Sequence, residues 1–231
     1  MTRLNDYNVE PKQLTAILVS HSHLNHCNDV NALISAITDG KEKRGILISN
    51  KTLVSGDSNY MPYITDFHKS LLDKQIILSA GQKHVLGEID IIALRTKHAD
   101  KNAIGFKFIT PYFTLSYSSD TKYFKALADE YKNSNILVLN VPIRFSDDKS
   151  DNLSVDDAVR IITEVSPKLT IIQHFSRELL QHDIISVTRD IQKKTSSQVI
   201  AAKEGMSINP FSYSAEMGQK TLRAFSQDRF K

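Results

Sequence analysis

Three histidines stand within six residues, His21-Ser22-His23-Leu24-Asn25-His26, directly after the apolar run Thr15-Ala16-Ile17-Leu18-Val19-Ser20. The run reads as a β-strand, and Val30, Leu33, Ile34 and Ile37 beyond the histidines fall at helical spacing. The imidazoles therefore occupy a strand-to-helix turn. Such a turn aims several side chains at one point, which a long exposed helix with this spacing does not. Imidazole nitrogen suits zinc, so the cluster signals a metal site. The bland reading, a polar turn that happens to be His-rich, loses weight because matching residues recur downstream. His98 follows the strand-like Ile89–Arg95 stretch. Asp120 follows the apolar Tyr112–Tyr117 run, and His174 closes the strand-like Leu169–Gln173 run.

In this order the residues resemble the H-x-H-x-D-H signature of the metallo-β-lactamase superfamily and its later ligands, from about Val9 to Ile208. The resemblance implies an α/β (α+β) chain folded as an αββα sandwich. It implies a first metal at His21, His23 and His98, and a second at His26 and His174, with Asp120 bridging. It also implies hydrolysis of a phosphodiester or other ester by a metal-bound hydroxide. Zinc, one or two ions, is the default for an imidazole-rich set; manganese or iron fits a site that also holds carboxylate. The superfamily hosts many chemistries, so the pattern specifies a fold better than a substrate.

Asn25 departs from the pattern. It stands where the family has the Asp that binds the second metal and orients the attacking water, so it is counted among both the metal-site and the catalytic positions, with Asp120. An amide is a neutral, weaker ligand and accepts no proton. A rival reading follows: a degenerate, weakly active or inactive scaffold or regulatory protein. Asp29, four residues on, would share a helix face with Asn25, but it reads better as a first-turn carboxylate favouring the helix dipole.

The 231 residues, 41% hydrophobic, suit one domain, 1–231, with an aromatic tail from 210 carrying Phe211, Tyr213, Phe225 and Phe230. The net charge of +3 does not by itself imply nucleic acid, and Lys41-Glu42-Lys43-Arg44 reads as a solvated loop. The balance tilts the substrate toward phosphorylated small molecules or phosphodiesters. The likeness is closer to the phosphodiesterase branch, including RNase Z-like proteins, than to the lactamases, although Cys27-Asn28-Asp29-Val30 lacks the Gly-rich continuation of RNase Z. No run is long enough to span a membrane, the start lacks a signal-peptide core, and the single cysteine, Cys27, excludes an internal disulfide. A cytoplasmic protein is expected. Cys27 reads as a small buried side chain, and His68, His84 and His182 as ordinary surface or hydrogen-bonded histidines.

Strands are expected at Ile46–Ser49, Gln75–Ser79, His84–Leu86, Glu88–Leu94, Ile104–Thr110, Tyr112–Tyr117, Asn135–Val141 and Gln198–Ala202. Helices are expected at Thr65–Leu72, Tyr123–Tyr131, from a Ser154 N-cap to near Pro167, and Glu178–Lys194. Ser22, Ser118 and Ser119 are placed to orient ligands. Lys122 is either solvated or set to meet an anion, and Gly205 suits a turn with positive φ. Only one strand precedes His21, so the sandwich is expected to lack its usual first strands. An uncovered edge recruits partners, so a homo-oligomer is expected.

Overall fold

In the computed structural model, which describes residues 2–146 and 150–213, apolar runs form two sheets. The first is parallel, in the order β1 (Ala16–Val19), β2 (Ile46–Ser49), β3 (Lys74–Ile77). The second has seven strands. β4 (Lys83–Leu86), β5 (Ile89–Arg95), β6 (Ile104–Ile109) and β7 (Thr114–Tyr117) run as an antiparallel meander. β8 (Ile136–Asn140), β9 (Leu169–Gln173) and β10 (Val199–Ala201) continue parallel from β7. Helices are α1 (Thr2–Asp6), α2 (Leu24–Cys27), α3 (Val30–Thr38), α4 (Lys51–Ser55), α5 (Asp66–Leu71), α6 (Leu127–Tyr131), α7 (Val155–Val165) and α8 (Ile184–Thr195).

Three apolar clusters set the layers. Ile17, Val19 and Leu47 pack with Ile34 and Ile37 of α3 and Leu53 of α4. Ile48, Ile91, Ala93, Ile104 and Phe106 fill the space between the sheets, with Leu18 and Ile76 against them. Leu137, Leu139 and Ile172 pack with Ile161 and Ile162 of α7 and Ile191 of α8. The central strands are thus buried on both faces, which is why they read as continuous apolar runs. The layers are helix, sheet, sheet, helix: an αββα sandwich. One strand precedes the histidine motif, and the first sheet has three strands among the described residues.

Local chemistry sets the ends of elements. Ser154 Oγ accepts from the Asp157 N–H, and Asp157 Oδ2 accepts from the Ser154 N–H, a capping box that opens α7. The helix expected over Glu178–Lys194 is divided. A 3-10 turn at Leu179–Gln181 ends before Asp183, whose carboxylate caps a new start by accepting from the Ile185 N–H. The helix expected from Tyr123 begins only at Leu127. α4 has no apolar periodicity; Asn50 Oδ1 caps it by accepting from the Leu53 N–H. Phe211 packs edge-on against Tyr112 and Phe113, so the start of the tail lies against the β6–β7 hairpin. Phe225 and Phe230 lie outside the described residues.

Candidate metal centre

β1 ends at Val19, and the chain turns through His21-Ser22-His23 into the single turn of α2, which presents Asn25 and His26. β5 delivers His98 three residues past its end, β7 delivers Asp120, and β9 delivers His174. Open sheets bind ligands beyond strand ends of this kind. Ser119 and His174 hold left-handed backbone, φ 57° and 62°, a strained conformation for residues with a side chain.

Two groups of ligand atoms result, each with its atoms within 4.8 Å of one another. The first joins His21, His23, His98 and Asp120, and the second His26, Asp120 and His174. His98 Nε2 is 3.0 Å from His23 Nδ1, and His26 Nε2 is 2.8 Å from His174 Nε2. Asp120 Oδ2 belongs to both groups, 3.8 Å from His98 Nε2 and 3.1 Å from His26 Nε2. The Asn25 amide reaches His174 Nε2 at 3.1 Å, so it faces the second group.

The outer nitrogens of the first three imidazoles are held by other groups. His21 Nδ1 meets Ser20 Oγ at 3.0 Å and Ser119 Oγ at 3.4 Å. His23 Nε2 meets the Tyr60 hydroxyl at 3.0 Å, and His98 Nδ1 donates to the Asp151 carbonyl at 2.9 Å. Such outer contacts fix the tautomer and leave the other nitrogen free to ligate. Among the described residues His21 Nε2 is buried with no hydrogen-bond partner, although a buried polar atom normally has one. Burial, with His26 adding to it, pushes the His21 imidazole down to about 2, and burial beside His98 lowers His23. Burial opposes ionisation of Asp120, but hydrogen bonds from His26 and Asn140 hold its carboxyl well below the usual range. Neutral imidazoles around an ionised carboxylate are the donor set a divalent transition metal requires. The residues present therefore fit such an ion.

Several supporting groups carry no sequence signal. Asn140, at the end of β8, donates to Asp120 Oδ1 at 2.6 Å and accepts from Gln173 Nε2 at 3.0 Å. Buried Asp100 accepts from the Ser22 N–H, Asn50 Nδ2 and Thr52 Oγ1, tying the histidine turn to the β2–α4 corner. Tyr60 is delivered by a built turn. Asp57 Oδ1 accepts from the N–H groups of Asn59 and Tyr60, and Gly56 has φ 70°. A Cβ on Gly56 would lie 2.6 Å from the Tyr60 carbonyl oxygen.

Other residues fall outside both groups. Asp29 is the N-cap residue of α3, on a different helix from Asn25, and is no member of either ligand group. Cys27 is buried, its thiol directed at the Ser22 carbonyl, and burial pushes it up to about 11. His68 is hydrogen-bonded to Ser35 and Thr65, and His182 lies against Arg144. Ser118 Oγ accepts from the Asn140 N–H, while the Ser22 hydroxyl is buried without a partner among the described residues. Lys122 lies 3.4 Å from Asp151, the residue whose carbonyl holds His98.

The fold is that of a metallo-β-lactamase-like protein. The family described as "Beta-lactamase superfamily domain" matches residues 3–175, and the chain belongs to it. It is 28% identical over 211 residues to the uncharacterized protein MJ1374 of Methanocaldococcus jannaschii, covering 90% of this chain and 79% of that one. Its fold is similar to the metallo-β-lactamase fold protein YhfI from Bacillus subtilis, with a TM-score of 0.73 at 18% identity over 89% of this chain and 81% of that one. It is also similar to the short form of human tRNase Z, with a TM-score of 0.63 at 12% identity over 90% of this chain and 83% of that one. No described helix is long and apolar enough to cross a membrane.

Proposed function

We propose that this chain is a metal-dependent hydrolase of phosphodiesters or related phosphoesters. The observation that carries the reading is the pair of ligand groups sharing Asp120 Oδ2. His21, His23, His98 and Asp120 would hold a first ion, and His26, Asp120 and His174 a second, with zinc the expected metal. When bound, such ions supply Lewis acidity and a nucleophile at neutral pH.

The chain's own groups do the rest. Ser20, Ser119, Tyr60 and the Asp151 carbonyl aim the imidazoles. Asn140 orients Asp120 and, after the His26 hydrogen bond, favours its ionised form. Asn25 faces the second group as an amide, so it orients by hydrogen bonding and takes up no proton. Lys97, Lys101 and Lys122 line a cleft of about 320 Å3 beside His98 and favour an anionic substrate. The fold likeness to tRNase Z points the same way.

Asn25 also favours a second reading, a one-metal or metal-free scaffold, because the second group has a single carboxylate. One experiment decides. Protein purified without chelators is analysed for metals and assayed for bis-p-nitrophenyl phosphate turnover with added zinc or manganese. Bound metal with turnover upholds the hydrolase; absence of both upholds the scaffold.

A further inference from the structure

A cleft of about 410 Å3 opens beside His174, past the ends of β9 and β10. Gln173, His174, Phe175, Leu180, Lys203 and Glu204 line it. We propose that it takes the heterocyclic base of a nucleoside phosphoester whose phosphorus sits at the metal centre. The proposal rests on the phosphoester reading above and adds what the non-reacting part of the substrate is.

Position comes first. His174 belongs both to the cleft and to the second ligand group, so the cleft adjoins the reacting centre. A ligand held there extends from the centre without displacing the outer contacts on His21, His23 and His98. The volume lies within the roughly 300 to 1,000 Å3 common for small-molecule sites.

Chemistry comes second. Phe175 and Leu180 provide apolar surface, and Leu180 is 58% exposed, large for a side chain of its kind. An aromatic base is recognised by apolar and aromatic contact on its faces and by hydrogen bonds at its edge. The edge partners are a donor and an acceptor side by side. Lys203 can donate to a ring nitrogen or carbonyl, and Glu204 can accept from an exocyclic amine. Among the described residues neither head group has a side-chain partner, so neither is committed elsewhere. Opposite charges side by side also argue against a purely anionic arm, which Glu204 would repel. The Lys203–Met206 turn is fixed: the Met206 N–H donates to the Lys203 carbonyl at 3.0 Å, and Gly205, φ 76°, lies against the Tyr7 ring. The edge groups are therefore carried on a defined turn.

The test is calorimetric titration of the zinc-loaded full-length chain with adenosine 5′-monophosphate and with ribose 5-phosphate. The two share phosphate and sugar, so their affinity ratio isolates the base. A ratio of about tenfold or more in favour of the nucleotide is expected, from one stacked and edge-bonded base. In Leu180→Ala and in Lys203→Ala the ratio should fall by about threefold or more. Affinities within twofold of each other in the wild type, or a ratio unmoved in both variants, overturn the proposal. The dinucleotide pApA separates the sources: tighter binding than the mononucleotide assigns the cleft to nucleic acid ends, equal or weaker binding to free nucleotides, and both uphold a base site. Bis-p-nitrophenyl phosphate turnover, measured alongside, keeps the two readings apart. Turnover with no base preference removes the cleft alone, whereas base preference without turnover removes the hydrolase alone.

Discussion

The Asn25 amide lies 3.1 Å from His174 Nε2, which sets Asn25 beside the second ligand group. We expect the second group, with its neutral amide, to hold an ion more weakly than the first, which gathers three imidazoles beside Asp120.

The expected stoichiometry follows. Elemental analysis after dialysis should give nearer one metal per chain than two. Asn25→Asp adds a carboxylate and a proton acceptor, and should raise affinity for the second ion by about tenfold or more, in the range known for groups that support a metal site. Turnover of bis-p-nitrophenyl phosphate should rise with it. Unchanged metal content and rate in Asn25→Asp would sink this account.

Asp120 and its partner Asn140 should separate in degree. Asp120→Ala removes the carboxylate that both groups share, so both ions should bind more weakly and turnover should be abolished. Asn140→Ala leaves the carboxylate and removes its 2.6 Å donor; metal affinity should fall by about 10- to 100-fold with the fold retained. Circular dichroism checks the fold and chelator competition checks the metal. Wild-type turnover in Asp120→Ala would exclude the two-metal hydrolase.

Tyr60→Phe should weaken the first ion by about tenfold, because it removes the partner of His23 Nε2. Tyr63→Phe is the control: its hydroxyl donates to the Asn28 carbonyl and touches no ligand. Equal metal affinity in the two variants would remove Tyr60 from the centre.

Ser154→Ala breaks the capping box of α7. A loss of about 1 kcal/mol is expected in urea unfolding, typical of N-cap removal. A change below about 0.3 kcal/mol would mean that the Asp157 carboxylate alone satisfies the first turn.

Assembly is the remaining prediction. β3 is an edge strand of the three-stranded sheet, mostly exposed, with Ile77 42% exposed. Such an edge invites pairing. Sedimentation of the full chain and of a chain ending at Asn209 should show a dimer or larger species in at least one of the two. A monomer in both would mean that the edge is adequately protected by its own charges.

The sequence determined the backbone rhythm and which histidines and aspartate stand at the strand ends. Apolar runs buried on both faces are written continuously, as in Ile136–Asn140 and Leu169–Gln173, and a strand end followed by His or Asp is a local event. Ser154 and Asp157 likewise state the start of α7 within four residues. The division at Asp183 was hidden, because apolar periodicity continues across it and only the cap geometry shows where the new helix begins.

Tertiary structure decided what holds the centre in place. Tyr60 is 37 residues from His23, Asp100 is 78 from Ser22, and Asn140 is 20 from Asp120. None has a spacing that a periodic pattern reports, and a polar residue in a loop looks the same whether solvated or buried against a ligand. Pairing of β7 with β8 sets Asn140 beside Asp120, the loop after α4 carries Tyr60 to His23, and the packing of the two sheets brings Asp100 to Ser22. These contacts hold the imidazoles in orientation, and the Asn140 hydrogen bond adds to that of His26 in favouring ionised Asp120.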